Sequence, residues 1–372
     1  MKIFCPECGT QEMLSPARWC CDCGGAWETE ERTDFDPALI DPADASIWRY
    51  RQLYGLPFDR PTVRLGAGGT PLLPVALESG QVLVKPEYFA PTSSFKDRGT
   101  AVMINILAHQ GVKRVADDSS GNAGASVAAF AARAGMKAEI FVPAHASPAK
   151  QAQIAVYGAE VRPIAGPRVN AKLAAQQAAE QGLVYASHAY HPGFLLGQQS
   201  VAWELWEQLG RRAPDWYVVP VGQGVQLLGV WLGFRRLRAA GLVERVPRLV
   251  AVQPTLMAPL CQAFEAGLDT VPAIEPGKPS VAEGLAIAAP VRGRRLLQAV
   301  RESGGTCIMV EEKAIHAARR LLAHQGFYAE PTSATVVAAL EEVKSLAGPD
   351  ASIVLPLTGS GLKGAPALEQ SA

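Results

Sequence analysis

The chain has 372 residues, 48% of them hydrophobic, enough to bury a substantial core and to divide into two or three domains. Lysine plus arginine number 35, as do aspartate plus glutamate; the balance supplies no net field for nucleic acid or an anionic membrane surface and points instead to a small-molecule substrate. Apolar stretches are broken well before the roughly 20 residues that a bilayer span needs, and Met1-Lys2-Ile3-Phe4 runs at once into cysteines with no apolar secretion signal, so a cytoplasmic protein without membrane partners is expected.

Five of the seven cysteines fall between Cys5 and Cys23, while Cys261 and Cys307 stand apart, unlike a disulfide framework. Cys5 with Cys8, and Cys20 with Cys23, form two Cys-x-x-Cys pairs; Gly9 and Gly24 follow them and permit the tight turns that aim four thiolates at one ion. This spacing predicts a zinc ribbon over residues 1–28, with Cys21 as the spare. Four thiolates close a tetrahedral sphere, so the Zn2+ is expected to be structural and not catalytic.

Residues 28–61 are acidic, proline-rich and aromatic without periodicity, and are expected to form a connecting arm with one short helix. Beyond them, short apolar runs alternate with alanine-rich stretches. Val82-Leu83-Val84, Ala138-Glu139-Ile140-Phe141-Val142, Tyr217-Val218-Val219-Pro220-Val221, Leu249-Val250-Ala251-Val252 and Ile353-Val354-Leu355 read as strands, and residues 124–134 and 311–323 as helices closed by glycine. Such alternation implies an α/β protein with a parallel sheet and crossover helices.

Open parallel sheets bind ligands beyond the carboxyl ends of their strands. After Val115 the chain reads Asp117-Asp118-Ser119-Ser120-Gly121-Asn122-Ala123-Gly124, entering a helix whose free N–H groups suit a carboxylate or phosphate; simple capping by Ser119 or Asn122 is the alternative. After Val221 come Gly222, Gln223, Gly224, Val225 and Gln226, whose backbone donors are suited to a phosphate. A dinucleotide fingerprint would want a nearer third glycine and an acidic residue where the next strand carries Gln253, which weighs against an NAD-dependent oxidoreductase. Thr358-Gly359-Ser360-Gly361-Leu362-Lys363 forms a third polar corner. Lys96, in Ser93-Ser94-Phe95-Lys96-Asp97-Arg98-Gly99, stands near a helix start where the dipole disfavours a cation and so favours a nucleophilic amine; a solvated lysine paired with Asp97 is the alternative.

Together these motifs resemble the fold-type II pyridoxal-phosphate enzymes and, within them, the threonine synthase family, over nearly all of the chain after the cysteines. Val142-Pro143 followed by Lys150, Gln153 and Tyr157-Gly158-Ala159-Glu160-Val161, and later Glu330-Pro331-Thr332-Ser333-Ala334, extend the resemblance. It implies two doubly wound domains around a central cleft: a large one from residues 29–95 and 196–372, and a small mobile one from residues 96–195. It implies that Lys96 holds pyridoxal 5'-phosphate as an imine and moves protons, and that Asn122 bonds the cofactor's ring oxygen. Gly222, Gln223, Gly224, Val225 and Gln226 would bind its phosphate, and Thr358 would meet the pyridine nitrogen. Ser119, Ser120, Gly121 and Ala123 would hold the carboxylate of an amino-acid substrate, Gly284 would let backbone approach the ring, and a homodimer is the family expectation.

The resemblance implies a lyase reaction, elimination or replacement at the β or γ carbon, with conversion of O-phosphohomoserine to threonine and phosphate as the leading reaction. One departure bears on the substrate. The family's Asn-Ser-x-Asn-Pro-x-Arg phosphate clamp, placed by Pro192 and Gly197-Gln198, falls on His188, Ala189, His191 and Phe194. Losing the arginine removes charge-assisted bonds of about 1.5–3 kcal/mol each. An unphosphorylated hydroxy amino acid, handled by a dehydratase, is therefore the alternative.

Overall fold

The computed structural model describes residues 1–77, 80–146, 148–275 and 277–363; the side chain of Lys150 lies outside the described residues. Strands β1 (Lys2–Phe4), β2 (Gln11–Met13) and β3 (Glu28–Thr29) form a small antiparallel sheet in the order β2-β1-β3. Beside it the Sγ atoms of Cys5, Cys8, Cys21 and Cys23 all lie within 4.8 Å of one another. The fourth member is thus Cys21, and Cys20 packs instead among the apolar residues around Tyr185 and Tyr190.

The turns explain this correction. Cys5 N–H donates to Thr10 O at 2.9 Å while Gly9 N–H donates to Cys5 O at 2.8 Å. Cys21 N–H donates to Gly25 O at 2.9 Å and Gly24 N–H to Cys21 O at 2.8 Å, so the second turn is one residue tighter and begins at Cys21. A Cβ at Gly25 would stand 2.6 Å from Cys5 Sγ, which reserves that position for glycine.

The arm contains two single-turn 3-10 helices (Pro37–Leu39 and Ile47–Tyr50), one more than the sequence suggested, capped by the side chains of Asp36 and Ser46. There follow β4 (Leu73–Leu77), β5 (Gly80–Pro86), α1 (Lys96–His109), β6 (Arg114–Asp117), α2 (Asn122–Arg133), β7 (Lys137–Pro143), α3 (Pro148–Val156), β8 (Glu160–Ile164), α4 (Arg168–Glu180) and β9 (Val184–Tyr185). The chain continues through α5 (Pro192–Gln198), α6 (Ser200–Gln208), β10 (Trp216–Pro220), α7 (Val225–Ala239), β11 (Arg248–Pro254), α8 (Pro259–Glu265) and α9 (Gly293–Glu302). It ends with β12 (Thr306–Val310), α10 (Glu312–His324), α11 (Pro331–Ala338), α12 (Leu340–Ala347) and β13 (Ile353–Leu357).

The strands make a six-stranded sheet, β12-β11-β10-β13-β5-β4, and a four-stranded parallel sheet, β8-β7-β6-β9. Every pair in the larger sheet is parallel except β4 with β5. Only two residues separate those strands, too few for the crossover that parallel pairing needs. Both β10 and β13 are buried along their whole length, as strands covered on two faces must be. Among the described residues, no helix is long and apolar enough to cross a membrane.

Helix α1 leaves β5 through a loop held by a fully buried ion cluster. The Arg98 guanidinium donates to Glu87 at 2.6 and 2.8 Å and to Glu204 of α6 at 2.9 and 3.0 Å, while Lys85 Nζ donates to Glu204 Oε1 at 2.8 Å and to Thr70 O at 3.0 Å. Burial pushes the Glu204 carboxyl up, but Arg98 and Lys85 more than reverse this and hold it below the usual carboxylate range. Helices α1 and α5 meet closely here, since a Cβ at Gly197 would lie 2.3 Å from Arg98 O. Replacing Arg98 by Met leaves Glu87 and Glu204 buried with only Lys85 to balance them, so Arg98→Met is expected to lower unfolding free energy by about 3–5 kcal/mol, measured by denaturant unfolding.

Candidate active site

The carboxyl ends of the parallel strands of both sheets open on one cleft. It is lined by Lys96, residues 119–123, Arg168, His188, residues 222–226, Gly284, Glu330, Thr332 and Thr358. Every residue that the sequence assigned to amine, carboxylate and phosphate binding therefore reaches the same cavity. The segments arrive there by strand order: β6 delivers residues 119–123, β10 delivers residues 222–226, and β13 delivers Thr358, each just past a strand end.

Lys96 is the first residue of α1. Its entry loop is fixed by Phe95 N–H donating to Thr358 O at 2.9 Å and by Ser360 N–H donating to Ser93 O at 3.2 Å. Ser93 adopts φ 61°, a left-handed conformation unusual for serine, three residues before Lys96. The pairing of Lys96 with Asp97 does not occur: Asp97 accepts from Thr92 N–H at 2.7 Å, Thr92 Oγ1 at 2.6 Å and Ser126 Oγ at 2.6 Å. Lys96 Nζ instead lies 4.6 Å from the Phe95 ring centre and 5.9 Å from that of Phe194. Burial lowers its pKa from 10.5 to about 8, opposed by the carboxylates of Asp117 and Glu330 and assisted by Arg168. Desolvation, more than the helix dipole invoked from sequence, depresses its basicity.

At the start of α2, Asp117 Oδ1 accepts from Ser119 N–H at 2.9 Å and Ser119 Oγ accepts from Gly121 N–H at 3.3 Å. Two of the loop's backbone donors are thus already engaged, and those of Ser120, Asn122 and Ala123 make no hydrogen bond among the described residues. Asn122 Nδ2 donates to both carboxylate oxygens of Glu330 at 3.1 Å. Thr358 Oγ1 lies 3.0 Å from Ser333 Oγ and donates to Glu330 Oε1 at 3.5 Å. Glu330 thus brings a carboxylate to the corner where the sequence promised only a neutral hydroxyl.

The glycine corner after β10 fits an anionic group. Gly224 adopts φ 70°, and a Cβ at Gly222 would stand 2.8 Å from Gly284 O, so neither accepts a side chain without movement. Both amide atoms of the Gln226 side chain, 2% exposed, lack a partner among the described residues, as does Ser94 Oγ. Unpaired buried polar groups are costly, and Gln226 lines the same cleft as Lys96, as expected of a corner suited to a polar ligand. Gln253, by contrast, is wholly consumed: it donates to Val221 O at 3.0 Å and accepts from Leu260 and Cys261 N–H at 2.9 and 3.1 Å. It offers nothing to a dinucleotide ribose.

Of the four positions where the family clamp falls, His188 alone lines the cleft. Ala189 joins an apolar cluster, Phe194 is fully buried in the main core, and His191 Nδ1 accepts from Gly193 N–H at 3.1 Å to cap α5. Sequence reasoning missed Arg168, which reaches the cleft from the first turn of α4 with no hydrogen bond or ion pair among the described residues. A cation there opposes the helix dipole by about 0.3–1 kcal/mol, so stability does not explain it. Its position after β8, away from every recognised motif, gave no signal.

The family model for "Pyridoxal-phosphate dependent enzyme" matches residues 63–359. The chain is 31% identical over 374 residues to a threonine synthase of Methanocaldococcus jannaschii, covering 96% of this chain and 92% of that protein. It is 34% identical over 334 residues to a threonine synthase of Synechocystis, covering 86% and 85%. Among solved structures, the threonine deaminase of T.th. superimposes with a TM-score of 0.69 at 28% identity, covering 80% of this chain and 94% of that one. Maize serine racemase does so with a TM-score of 0.68 at 25% identity, covering 78% and 89%. With an amine of lowered basicity facing a glycine corner, and a family match spanning most of the chain, this protein belongs to the threonine synthase-like, pyridoxal-phosphate dependent enzymes that eliminate or replace groups at the β or γ carbon of amino acids.

Proposed function

We propose that the chain converts O-phosphohomoserine to threonine and phosphate. The observation that carries this reading is Arg168: a solvent-exposed guanidinium with no ion pair among the described residues lines the cleft from α4, although the clamp position is Phe194. The relatives named threonine synthase support the same reaction class. The cofactor would be held by Lys96, by the backbone donors and Gln226 of residues 222–226, and by Asn122 and Thr358. Bound there, it supplies an electron sink for charge developing at the substrate α-carbon.

The protein's own groups do the rest. Backbone donors of residues 119–123 at the start of α2 hold the substrate carboxylate. Lys96 Nζ, uncharged at moderately alkaline pH, removes and returns the α-proton. Gly284, against which Gly222 packs, leaves room for the ring. Phe95 and Leu285 give the cleft apolar walls that limit water, and the Phe194 ring lies behind them, 5.9 Å from Lys96 Nζ.

A second reading, dehydration of an unphosphorylated hydroxy amino acid, is favoured by the apolar Phe194 at the clamp and by the likeness to threonine deaminase. Steady-state assays separate the two. Turnover of O-phosphohomoserine with serine and threonine inert supports the first; the reverse pattern overturns it. On the first reading Arg168→Gln is expected to raise KM for O-phosphohomoserine about tenfold or more, from losing a charge-assisted contact of about 1.5–3 kcal/mol, with little change in kcat.

Lys96→Ala is expected to abolish the borohydride-reducible yellow chromophore and to lower kcat about 10³-fold. In the cofactor-free wild-type chain, imine formation with an aldehyde probe is expected to rise with pH and level off above about 8, because only the neutral amine attacks. A rise continuing to the ordinary lysine range would contradict the burial argument.

We further propose that Cys5, Cys8, Cys21 and Cys23 hold structural zinc. Sulfurs at about 2.3 Å from a tetrahedral ion lie about 3.8 Å apart, compatible with the clustered thiols, among which Cys5 and Cys23 stand 3.4 Å apart and Cys8 and Cys21 3.5 Å apart. Cys21→Ser is expected to lose bound zinc and lower the unfolding temperature, whereas Cys20→Ser retains the metal; elemental analysis and calorimetry check both.

A further inference from the structure

Asp117 and His188 stand at the carboxyl ends of adjacent parallel strands. β6 ends at Asp117, β9 pairs beside it, and His188 follows β9 by three residues. His188 Nδ1 lies 4.0 Å from Asp117 Oδ2. Both atoms are sealed from solvent and neither has a hydrogen-bond partner among the described residues. Asp117 is fully buried and His188 is 9% exposed, yet the imidazole lines the cleft that holds Lys96. A buried carboxylate oxygen and a buried ring nitrogen left unpaired within a small movement of each other are costly unless the site uses them.

We propose that Asp117 and His188 form a proton-handling pair for the oxygen that is bonded to, or leaves, the substrate β-carbon. With Nδ1 turned toward Asp117, Nε2 is the ring nitrogen left for the cleft. When water adds, its oxygen supplies the electron pair of the new C–O bond and one O–H bond breaks. That proton passes to Nε2, and Asp117 Oδ2 holds the Nδ1 proton. The pair displaced from the substrate's carbon–carbon double bond settles at the α-carbon, where Lys96 Nζ returns a proton. Elimination of hydroxide runs the same bonds backwards: C–O breaks with its electrons on oxygen, Nε2–H protonates it, and water leaves. The pair thus serves either direction. The inference rests on the elimination or replacement reading of the site but not on the choice between the two substrates.

Burial disfavours a charge on each member of the pair. Among the described residues, Lys96 of α1, Asp118 after β6 and Arg168 of α4 are the charged groups facing His188 besides Asp117, and Phe194 of α5 packs edge-on against its ring at 5.9 Å. Burial holds the imidazole well below its ordinary range, so it is neutral at rest, while burial raises the Asp117 carboxyl to about 7. Near neutrality the proton is available to either direction of the reaction. Water addition, which needs the pair without its extra proton, rises with pH through about 7; water elimination falls over the same span.

The test uses the cofactor-loaded wild-type protein with His188→Gln and Asp117→Asn. His188→Gln is expected to lower kcat for the reaction that makes or breaks the C–O bond about 10²–10³-fold, with little change in KM, and Asp117→Asn to remove the limb near pH 7. Elimination of chloride from β-chloroalanine needs no proton on the leaving group and is expected to persist in His188→Gln, as is exchange of the α-proton into heavy water. Loss of all these activities together makes His188 a shaping residue and overturns the proposal, as does retention of the C–O reaction. Nitrogen NMR of the resting protein decides independently of any substrate: Asp117→Asn should shift the His188 ring signals, and unmoved signals overturn the pair. A wild-type protein that exchanges α-protons but makes or breaks no C–O bond overturns the substrate reading alone, leaving the NMR result to stand.

Discussion

The position of the cleft's buried amine depends on a guanidinium that does not line the cleft. Arg98, fully buried two residues after Lys96, is saturated by Glu87 and Glu204 and so ties the end of β5, the first turn of α1 and helix α6 into one unit. Removing a charge from water is tolerable only when its partners are complete. Lys96 shares that turn and meets the opposite fate. No carboxylate hydrogen-bonds its ammonium among the described residues, aromatic rings lie beside it, and its basicity falls to about 8. One helix start therefore keeps one cation permanently charged and makes the next readily neutral, and the difference lies in paired versus unpaired burial.

Much of this was legible because strand ends carry chemistry. The five apolar runs, the three polar corners and the lysine segment were readable as local patterns, and a parallel sheet brings such corners together wherever they fall in the chain. Cys20 misled because spacing alone favoured Cys-x-x-Cys, whereas the tighter turn closed by Gly24 N–H on Cys21 O selects its neighbour. Arg168 could not be assigned because nothing near it in sequence states which cavity it faces, and Glu330, though it opens the Glu330-Pro331-Thr332-Ser333-Ala334 match, carried no role that the sequence could assign. His188 was visible as a departure from the clamp, but its facing partner is far away in the chain, and the pairing exists only because β9 lies beside β6.

Glu330 changes how the cofactor corner must be understood. A threonine hydroxyl alone leaves a pyridine nitrogen free to be unprotonated, which weakens the electron sink. Here the carboxylate lies within reach of Thr358 and accepts both contacts from Asn122. Its charge is moderated by that amide donor and directed toward the same end of the cleft as Lys96, whose pKa it raises. On the proposed placement the ring environment would be set by a hydrogen-bonded carboxylate acting through neutral groups, a compromise that suits elimination and replacement, where the α-carbon charge must be held only until the leaving group departs.

The N-terminal cysteine unit is remote from this chemistry, yet it braces the loop that carries His188. Arg292, at the entry to α9, donates to Ala189 O and Tyr190 O at 3.2 Å, to Trp27 O at 2.8 Å and to Glu28 at 3.2 Å. Trp19 meets Tyr185 and Tyr190 edge-on at 5.5 and 4.8 Å, and Tyr185 donates to Asp118 Oδ1 at 2.8 Å. Residues 187–191 are therefore held from outside by the first thirty residues and from inside by β6. An N-terminal cluster of thiols outside the cleft can still act on it, because its sheet and loops fix the wall against which the imidazole must stand.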